Sequence, residues 1–148
     1  LLELVSFQTN SSVQPSAPPL QAMQNCDSVP ESHSSSEPIC WCRNPAMPFQ
    51  ADIPPGGLKI GQQIFVTATP KSNPTRFAVN LKSQEDYVLH FNPRFKEKQV
   101  IRNSCRRGTW EKEEDQGPSF PFVPSGTFDL IIYVDVHGYK VWNIERLS

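Results

Sequence analysis

Apolar and polar residues alternate regularly between positions 89 and 95 of this chain. The polar members are His90, Asn92 and Arg94, and the apolar members are Leu89, Phe91, Pro93 and Phe95. Because successive side chains of a β-strand point to opposite faces, this spacing predicts a strand with one apolar and one hydrogen-bonding face. An imidazole, an amide and a guanidinium on one rigid element suit a small ligand that is rich in hydroxyl groups.

Similar patterns predict further short strands along the second half of the chain. The predicted strands cover residues 63–69, 76–82, 87–95, 100–104, 110–114 and 127–136, and a return strand begins at Tyr139. Turn signals separate these strands about every 10 residues, and no stretch keeps a helical period for three turns. The pattern is typical of an all-β fold in which antiparallel sheets form a sandwich or barrel.

The first third of the chain has a different composition. Residues 8–46 are rich in Ser, Pro, Gln and Asn and show no period, so we predict a disordered linker there. Residues 1–7 have the pattern of a short strand with no partner nearby in sequence, and we predict that they close a preceding domain. The folded unit is therefore predicted at residues 47–148.

Bulk properties argue against several functional classes. A formal net charge of −1 favours neither nucleic acid nor a membrane surface as partner. No apolar run approaches the roughly 20 residues that a membrane helix needs. Four cysteines are few for a disulfide scaffold, which predicts reduced thiols and a cytoplasmic location. The spacing of Cys26, Cys40 and Cys42 with His33 matches no common zinc pattern, so we predict free thiols and no metal site there.

Three more residues extend the polar face. Asn103 lies on the next predicted strand, and Trp110 is followed three positions later by Glu113. One face of a galactose ring is a cluster of C–H bonds that can lie on an aromatic ring, whereas its hydroxyls need both donors and acceptors. A site that pairs one particular hydroxyl also disfavours the epimer, because its own polar groups then stay unsatisfied. The pattern therefore favours a sugar as ligand.

A glycosidase and a polyanion-binding fragment are alternative hypotheses for this region. Glu113 and Glu114 would point to opposite faces of a strand, so they cannot flank one bond as a glycosidase pair, and we predict no enzyme. The basic residues between Arg94 and Arg107 leave open a protein-interaction or polyanion-binding fragment without a working sugar site. Parity places Arg102 on the core side with Val100, where the sequence offers no reason for a charge.

The three segments that carry these residues together resemble the carbohydrate-recognition motif of the galectin family. They are His90–Phe95, Val100–Ser104 and Trp110-x-x-Glu113. The resemblance runs from about residue 47 to residue 141. It implies an antiparallel two-sheet β-sandwich of the galectin type (jelly-roll, concanavalin-like) that binds β-galactosides without metal, cofactor or catalysis.

The resemblance also implies a role for each residue. His90, Asn92 and Arg94 would hydrogen-bond the axial 4-hydroxyl of galactose, and Arg94 would also reach the ring oxygen and the neighbouring sugar. Asn103 and Glu113 would hold the 6-hydroxyl, and Trp110 would stack under the ring. Two positions depart from the family pattern, because Asp115 replaces the usual Arg or Lys and Glu111 replaces the common Gly. We expect weaker or altered binding of the second sugar.

The order of these segments along the chain is similar to part of a tandem-repeat galectin. Residues 1–7 would close one recognition domain, residues 8–46 would be the linker, and residues 47–148 would form a second domain truncated before its last strands. Open sheet edges are then expected. The implied partners are β-galactoside glycans on glycoproteins or glycolipids, without nucleic acid or membrane insertion, and a second domain could cross-link them. The implied location is cytoplasmic, with leaderless secretion.

Overall fold

The computed structural model describes residues 2–7, 47–53, 55–117 and 119–145. In these ranges the chain forms nine β-strands and no helix. They are β1 (Leu2–Phe7), β2 (Phe49–Ala51), β3 (Gln63–Ala68), β4 (Arg76–Ser83), β5 (Asp86–Arg94), β6 (Gln99–Arg106), β7 (Thr109–Trp110), β8 (Phe128–Asp135) and β9 (Gly138–Glu145). None of the described segments is a helix that could span a membrane.

The strands form two antiparallel sheets. One has six strands in the order β2-β1-β4-β5-β6-β7, and the other has three in the order β3-β8-β9. The predicted all-β class with two antiparallel sheets is confirmed. The predicted return strand is also present, since β9 pairs with β8 along its whole length.

The core lies between the two sheets and follows from the alternation along their strands. Leu130 and Ile132 of β8 are fully buried, and their neighbours in the sequence are less so. The buried cluster contains Val66, Val79, Leu81, Leu89, Phe91, Phe122, Phe128, Leu130 and Ile132. Pro93 is also fully buried, so the apolar face predicted for β5 does point inward.

A cluster of phenylalanine rings fills one end of this core. The rings of Phe77 and Phe128 stack with centroids 5.0 Å apart, and Phe122 meets both edge-on at 5.2 and 4.9 Å. Such pairs contribute about 0.5–1.5 kcal/mol beyond the area that they bury. The contact fastens β4 of the larger sheet to β8 of the smaller one.

One part of the sequence interpretation differs from the structure, and a second part concerns β1. The strand predicted for residues 110–114 is wrong in extent, because β7 ends at Trp110 and only Glu114 makes a further bridge, to Arg102. Residues 1–7 are predicted to close a preceding domain, but β1 is hydrogen-bonded between β2 and β4 of the sheet described above. The described strand is thus part of this sheet, and the origin of β1 in another domain stays a prediction. The predicted linker at residues 8–46 lies outside the described residues.

Truncation of a core side chain should destabilise the fold far more than truncation on the outer face of the same sheet. We expect Leu130→Ala to cost about 2–5 kcal/mol of unfolding free energy, because the cavity it leaves cannot fully collapse. Phe65 is 68% exposed and provides the control. Phe65→Ala should change the free energy by less than about 0.5 kcal/mol. Urea titration measures both, and equal losses would contradict the assignment of the core.

Removal of residues 1–7 should lower the thermal stability, because β4 and β2 would both lose their hydrogen-bonding neighbour. The matched control removes seven residues between positions 20 and 35, which leaves β1 and its partners in place. Differential scanning calorimetry of the two variants and the full chain makes the comparison. Equal melting temperatures for all three would show that β1 adds nothing to the sheet.

Candidate functional site

The register of three neighbouring strands places the predicted polar residues on one face of the larger sheet. His90 of β5 lies opposite Asn80 of β4 on one side and opposite Asn103 of β6 on the other. Residues directly opposite each other in an antiparallel pair share a face. Asn92 and Arg94 continue the same face along β5.

A β-bulge brings an aromatic residue onto this face that the sequence interpretation did not include. Between Tyr87 and His90 the pairing of β5 with β6 shifts, because a step of three positions on β5 matches a step of two positions on β6. Tyr87 therefore lies opposite Cys105 and on the same side as His90. A bulge reverses the parity along a strand, and simple alternation from His90 would have assigned Tyr87 to the other face.

Trp110 lies against two rings on this face. Its centroid is 5.1 Å from that of His90 and 5.2 Å from that of Tyr87. The backbone of β7 sets this position, because Trp110 pairs with Cys105, which is itself buried. Trp110 stays 48% exposed, so the indole is held from the side while much of its surface remains accessible. The predicted exposed position of this tryptophan is confirmed.

His90 has a buried partner on β4. Its Nδ1 lies 2.6 Å from Oδ1 of Asn80, a side chain that is only 4% exposed. An amide oxygen can only accept, so Nδ1 carries the proton in this contact, and Nε2 of the neutral ring is left as an acceptor. The sequence interpretation did not include Asn80 as a site residue. It alternates with the apolar residues of its strand, as Arg76 and Lys82 do, and this pattern could have placed it on the polar face.

A chain of hydrogen bonds connects Asn92 to Glu113 through Arg94. The amide of Asn92 donates to the carbonyl of Phe77 over 2.6 Å, and its Oδ1 accepts from Nε of Arg94 at 3.0 Å. Nη2 of Arg94 then donates to Oε1 of Glu113 over 2.7 Å. Asn92 is 3% exposed, so a buried amide sets the direction of the exposed ion pair.

Asn103 uses its amide to hold the segment after Trp110. Its Nδ2 donates to the carbonyl of Glu111 over 3.0 Å, and its Oδ1 accepts from the backbone N–H of Ser104 at 2.8 Å. A primary amide has a second N–H and a second lone pair on its oxygen, so these contacts leave capacity for a ligand. The structure thus brings all six predicted residues into one region, and it adds Tyr87 and Asn80.

Nothing in the described part of the chain suggests a metal centre. No group of three or more His, Cys, Asp or Glu side chains is placed to hold an ion there. The three cysteines at positions 26, 40 and 42 lie outside the described residues. The pKa of Asp135 is lowered, chiefly by its hydrogen bond from Lys140, but both residues belong to the β8–β9 hairpin of the other sheet.

The described site is an exposed aromatic ring beside directed donors and acceptors on one sheet of a β-sandwich. The comparison with known families shows to which family such a chain belongs. The chain belongs to the galectins, because the family model described as "Galactoside-binding lectin" matches residues 48–143. The family resemblance inferred from the motifs is therefore confirmed.

Named relatives agree with this assignment. The chain is 38% identical over 102 residues to a 32 kDa beta-galactoside-binding lectin of Caenorhabditis elegans, covering 68% of this chain and 36% of that protein. It is 38% identical over 103 residues to galectin-6 of Mus musculus, covering 66% and 33% respectively. The chain thus spans about a third of the length of these curated relatives.

A solved structure supports the fold. The crystal structure of Caenorhabditis elegans galectin LEC-6 superposes with a TM-score of 0.54 and 32% identity, over 62% of this chain and 64% of that one. Galectins are carbohydrate-binding lectins without enzymatic activity, which agrees with the prediction that this chain is not an enzyme.

The contact between His90 and Asn80 predicts the tautomer of the imidazole. In ¹⁵N–¹H correlation spectra of the neutral ring we expect the proton on Nδ1, because Oδ1 of Asn80 accepts it. Asn80→Leu removes the acceptor, so the ring should shift toward the Nε2–H form that is more common in water. A dominant Nε2–H tautomer in the unmodified protein would contradict the geometry.

Proposed function

We propose that this chain binds β-galactoside-containing glycans of glycoproteins or glycolipids at the face formed by β4, β5, β6 and β7. The observation that carries the proposal is the half-exposed ring of Trp110 beside the hydrogen-bond chain from Asn92 through Arg94 to Glu113. Family membership supports galactosides as the ligand class.

Trp110 supplies the apolar contact in this proposal. The C–H face of galactose lies on the indole, which is already held by His90 and Tyr87. Because a preformed platform loses little conformational freedom on binding, more of the contact energy contributes to affinity. Water leaves both surfaces, and this displacement favours association.

His90, Asn92 and Arg94 recognise the axial 4-hydroxyl. Nε2 of His90 accepts a hydrogen bond from the hydroxyl, while the guanidinium of Arg94 and the amide of Asn92 approach the same oxygen. An equatorial 4-hydroxyl, as in glucose, points away from these groups and cannot make these hydrogen bonds. Losing such a bond at a desolvated site costs about 1–3 kcal/mol, which is roughly ten- to a hundredfold in affinity.

Asn103 and Glu113 hold the 6-hydroxyl on the β6 side of the ring. The carboxylate of Glu113 accepts a hydrogen bond from this hydroxyl while it stays paired with Arg94. Arg94 consequently links the two parts of the site. It hydrogen-bonds Asn92, which contacts the 4-hydroxyl, and Glu113, which contacts the 6-hydroxyl. Asp115 and Glu111 lie beside this end and weaken binding of the second sugar.

Two wider properties follow from the family resemblance. In a protein as long as the relatives, a second recognition site would let one molecule cross-link glycans, because the second binding event becomes intramolecular. A cytoplasmic location with leaderless secretion fits such a lectin. Both are proposals for the longer protein.

Affinity chromatography tests the proposal. The chain should be retained on lactose-agarose and eluted by free lactose but not by sucrose. Trp110→Ala should weaken lactose binding by at least about tenfold, corresponding to ~1.4 kcal/mol, as measured by isothermal titration calorimetry. Trp142→Ala is the matched control, because Trp142 is similarly exposed at 47% but lies on β9 in the other sheet.

The alternative function gives a different result in the same assay. A protein-interaction or polyanion-binding fragment would pass through lactose-agarose and would stay on heparin irrespective of Trp110→Ala. Equal lactose affinities of the Trp110→Ala and Trp142→Ala variants would also contradict the proposed stacking.

A further inference from the structure

Arg102 is a charged side chain on the core-facing side of the larger sheet. It lies opposite Phe91, which is 6% exposed, and its own side chain is 29% exposed. A cation in such a place is costly unless it is paired and hydrogen-bonded. Core packing therefore does not explain a charged residue at this position, but the contacts of Arg102 do.

These contacts all go to the segment that follows Trp110. The backbone N–H of Arg102 donates to the carbonyl of Glu114 over 2.9 Å, and the N–H of Glu114 donates back to Arg102 over 2.9 Å. The guanidinium donates from Nη2 to the carbonyl of Gln116. Its Nε lies 3.6 Å from the carboxylate of Glu114.

Glu113 lies inside the stretch that these contacts hold. Adjacent residues in extended backbone point to opposite sides, so Glu114 faces Arg102 and Glu113 faces the sugar-binding side. All the side chains from Glu111 to Gln116 are exposed, and packing against the core therefore does not position them. Upstream, the amide of Asn103 holds the carbonyl of Glu111. Downstream, the backbone of Arg102 pairs with that of Glu114, and its guanidinium contacts the carbonyl of Gln116 and the carboxylate of Glu114.

We infer that Arg102 is a positioning residue for the sugar site, which fixes Glu113 from behind the sheet so that its carboxylate meets Arg94 and the 6-hydroxyl of galactose. This inference rests on the proposed function. The side chains of residues 112–116 and Arg102 line a cleft of about 500 Å³. Without Arg102 the segment has room to move into or across that cleft, and Glu113 moves with it.

A comparison of two ligands isolates this role. Lactose uses Glu113 through its 6-hydroxyl, whereas an analogue that lacks this hydroxyl on the galactose does not. Arg102→Ala should lower the affinity for lactose about tenfold and leave the affinity for the deoxy analogue unchanged, so the preference for lactose disappears. Arg106→Ala is the matched control, since Arg106 lies on the same strand but is exposed. It should keep the preference.

A double-mutant cycle separates positioning from general loss of structure. Glu113→Ala should remove the same preference, and the Arg102→Ala/Glu113→Ala double variant should lose no more lactose affinity than Glu113→Ala alone. Additive losses would overturn the inference, because they would mean that Arg102 acts without Glu113. Thermal melts identify variants that fail to fold.

Amide hydrogen exchange tests the same inference without any sugar. The Glu114 N–H donates to the backbone carbonyl of Arg102, a bond that Arg102→Ala keeps. Because the segment loses the side-chain contacts of Arg102 to Gln116 and Glu114, exchange at this N–H should accelerate at least about tenfold in Arg102→Ala and remain unchanged in Arg106→Ala. Unchanged exchange at Glu114 in Arg102→Ala would overturn the inference. Failure of the unmodified chain to bind lactose would instead overturn the proposed function, and the exchange experiment would still decide the role of Arg102.

Discussion

The register between β4, β5 and β6 is the constraint on which the rest of the structure depends. Pairing of His90 with Asn80 and Asn103 turns the polar positions to one face and Leu89, Phe91 and Pro93 to the core. A slip of one residue would exchange the two faces, bury a guanidinium and expose the apolar side chains. The same backbone hydrogen bonds therefore assemble the site and close the core. The phenylalanine cluster then fixes this sheet against the smaller one.

Much of this arrangement could be predicted from the sequence, because it follows from alternation with a period of two. The strand at Asp86–Arg94, the inward direction of Pro93 and the exposure of Trp110 all follow from their neighbours. The remaining differences arise where alternation is interrupted or where the partner is distant in sequence. A bulge before His90 changes the parity of Tyr87. The place of β1 depends on strands more than 40 residues away, and its short apolar pattern does not specify them.

Arg102 shows a third reason why sequence patterns have limits. Alternation along the strand predicts that Arg102 lies on the core side, but it does not explain why a charged residue is there. The resolution comes from the far side of a turn, where the carbonyl of Gln116 and the carboxylate of Glu114 meet the guanidinium. Such a contact joins an irregular segment to a strand, and irregular segments have no period from which a position could be read.

The pairing of the two arginines with adjacent glutamates has a consequence for the kind of ligand that this face selects. Arg94 is matched by Glu113 and Arg102 by Glu114, so each cation is largely compensated by an anion close to it. The electric field of these two pairs is then short in range, and they add little to the attraction of charged molecules at a distance. In the proposed sugar site, selection then rests on the directions of lone pairs and N–H bonds at contact. Affinity for a neutral ligand should accordingly change little between dilute buffer and physiological salt.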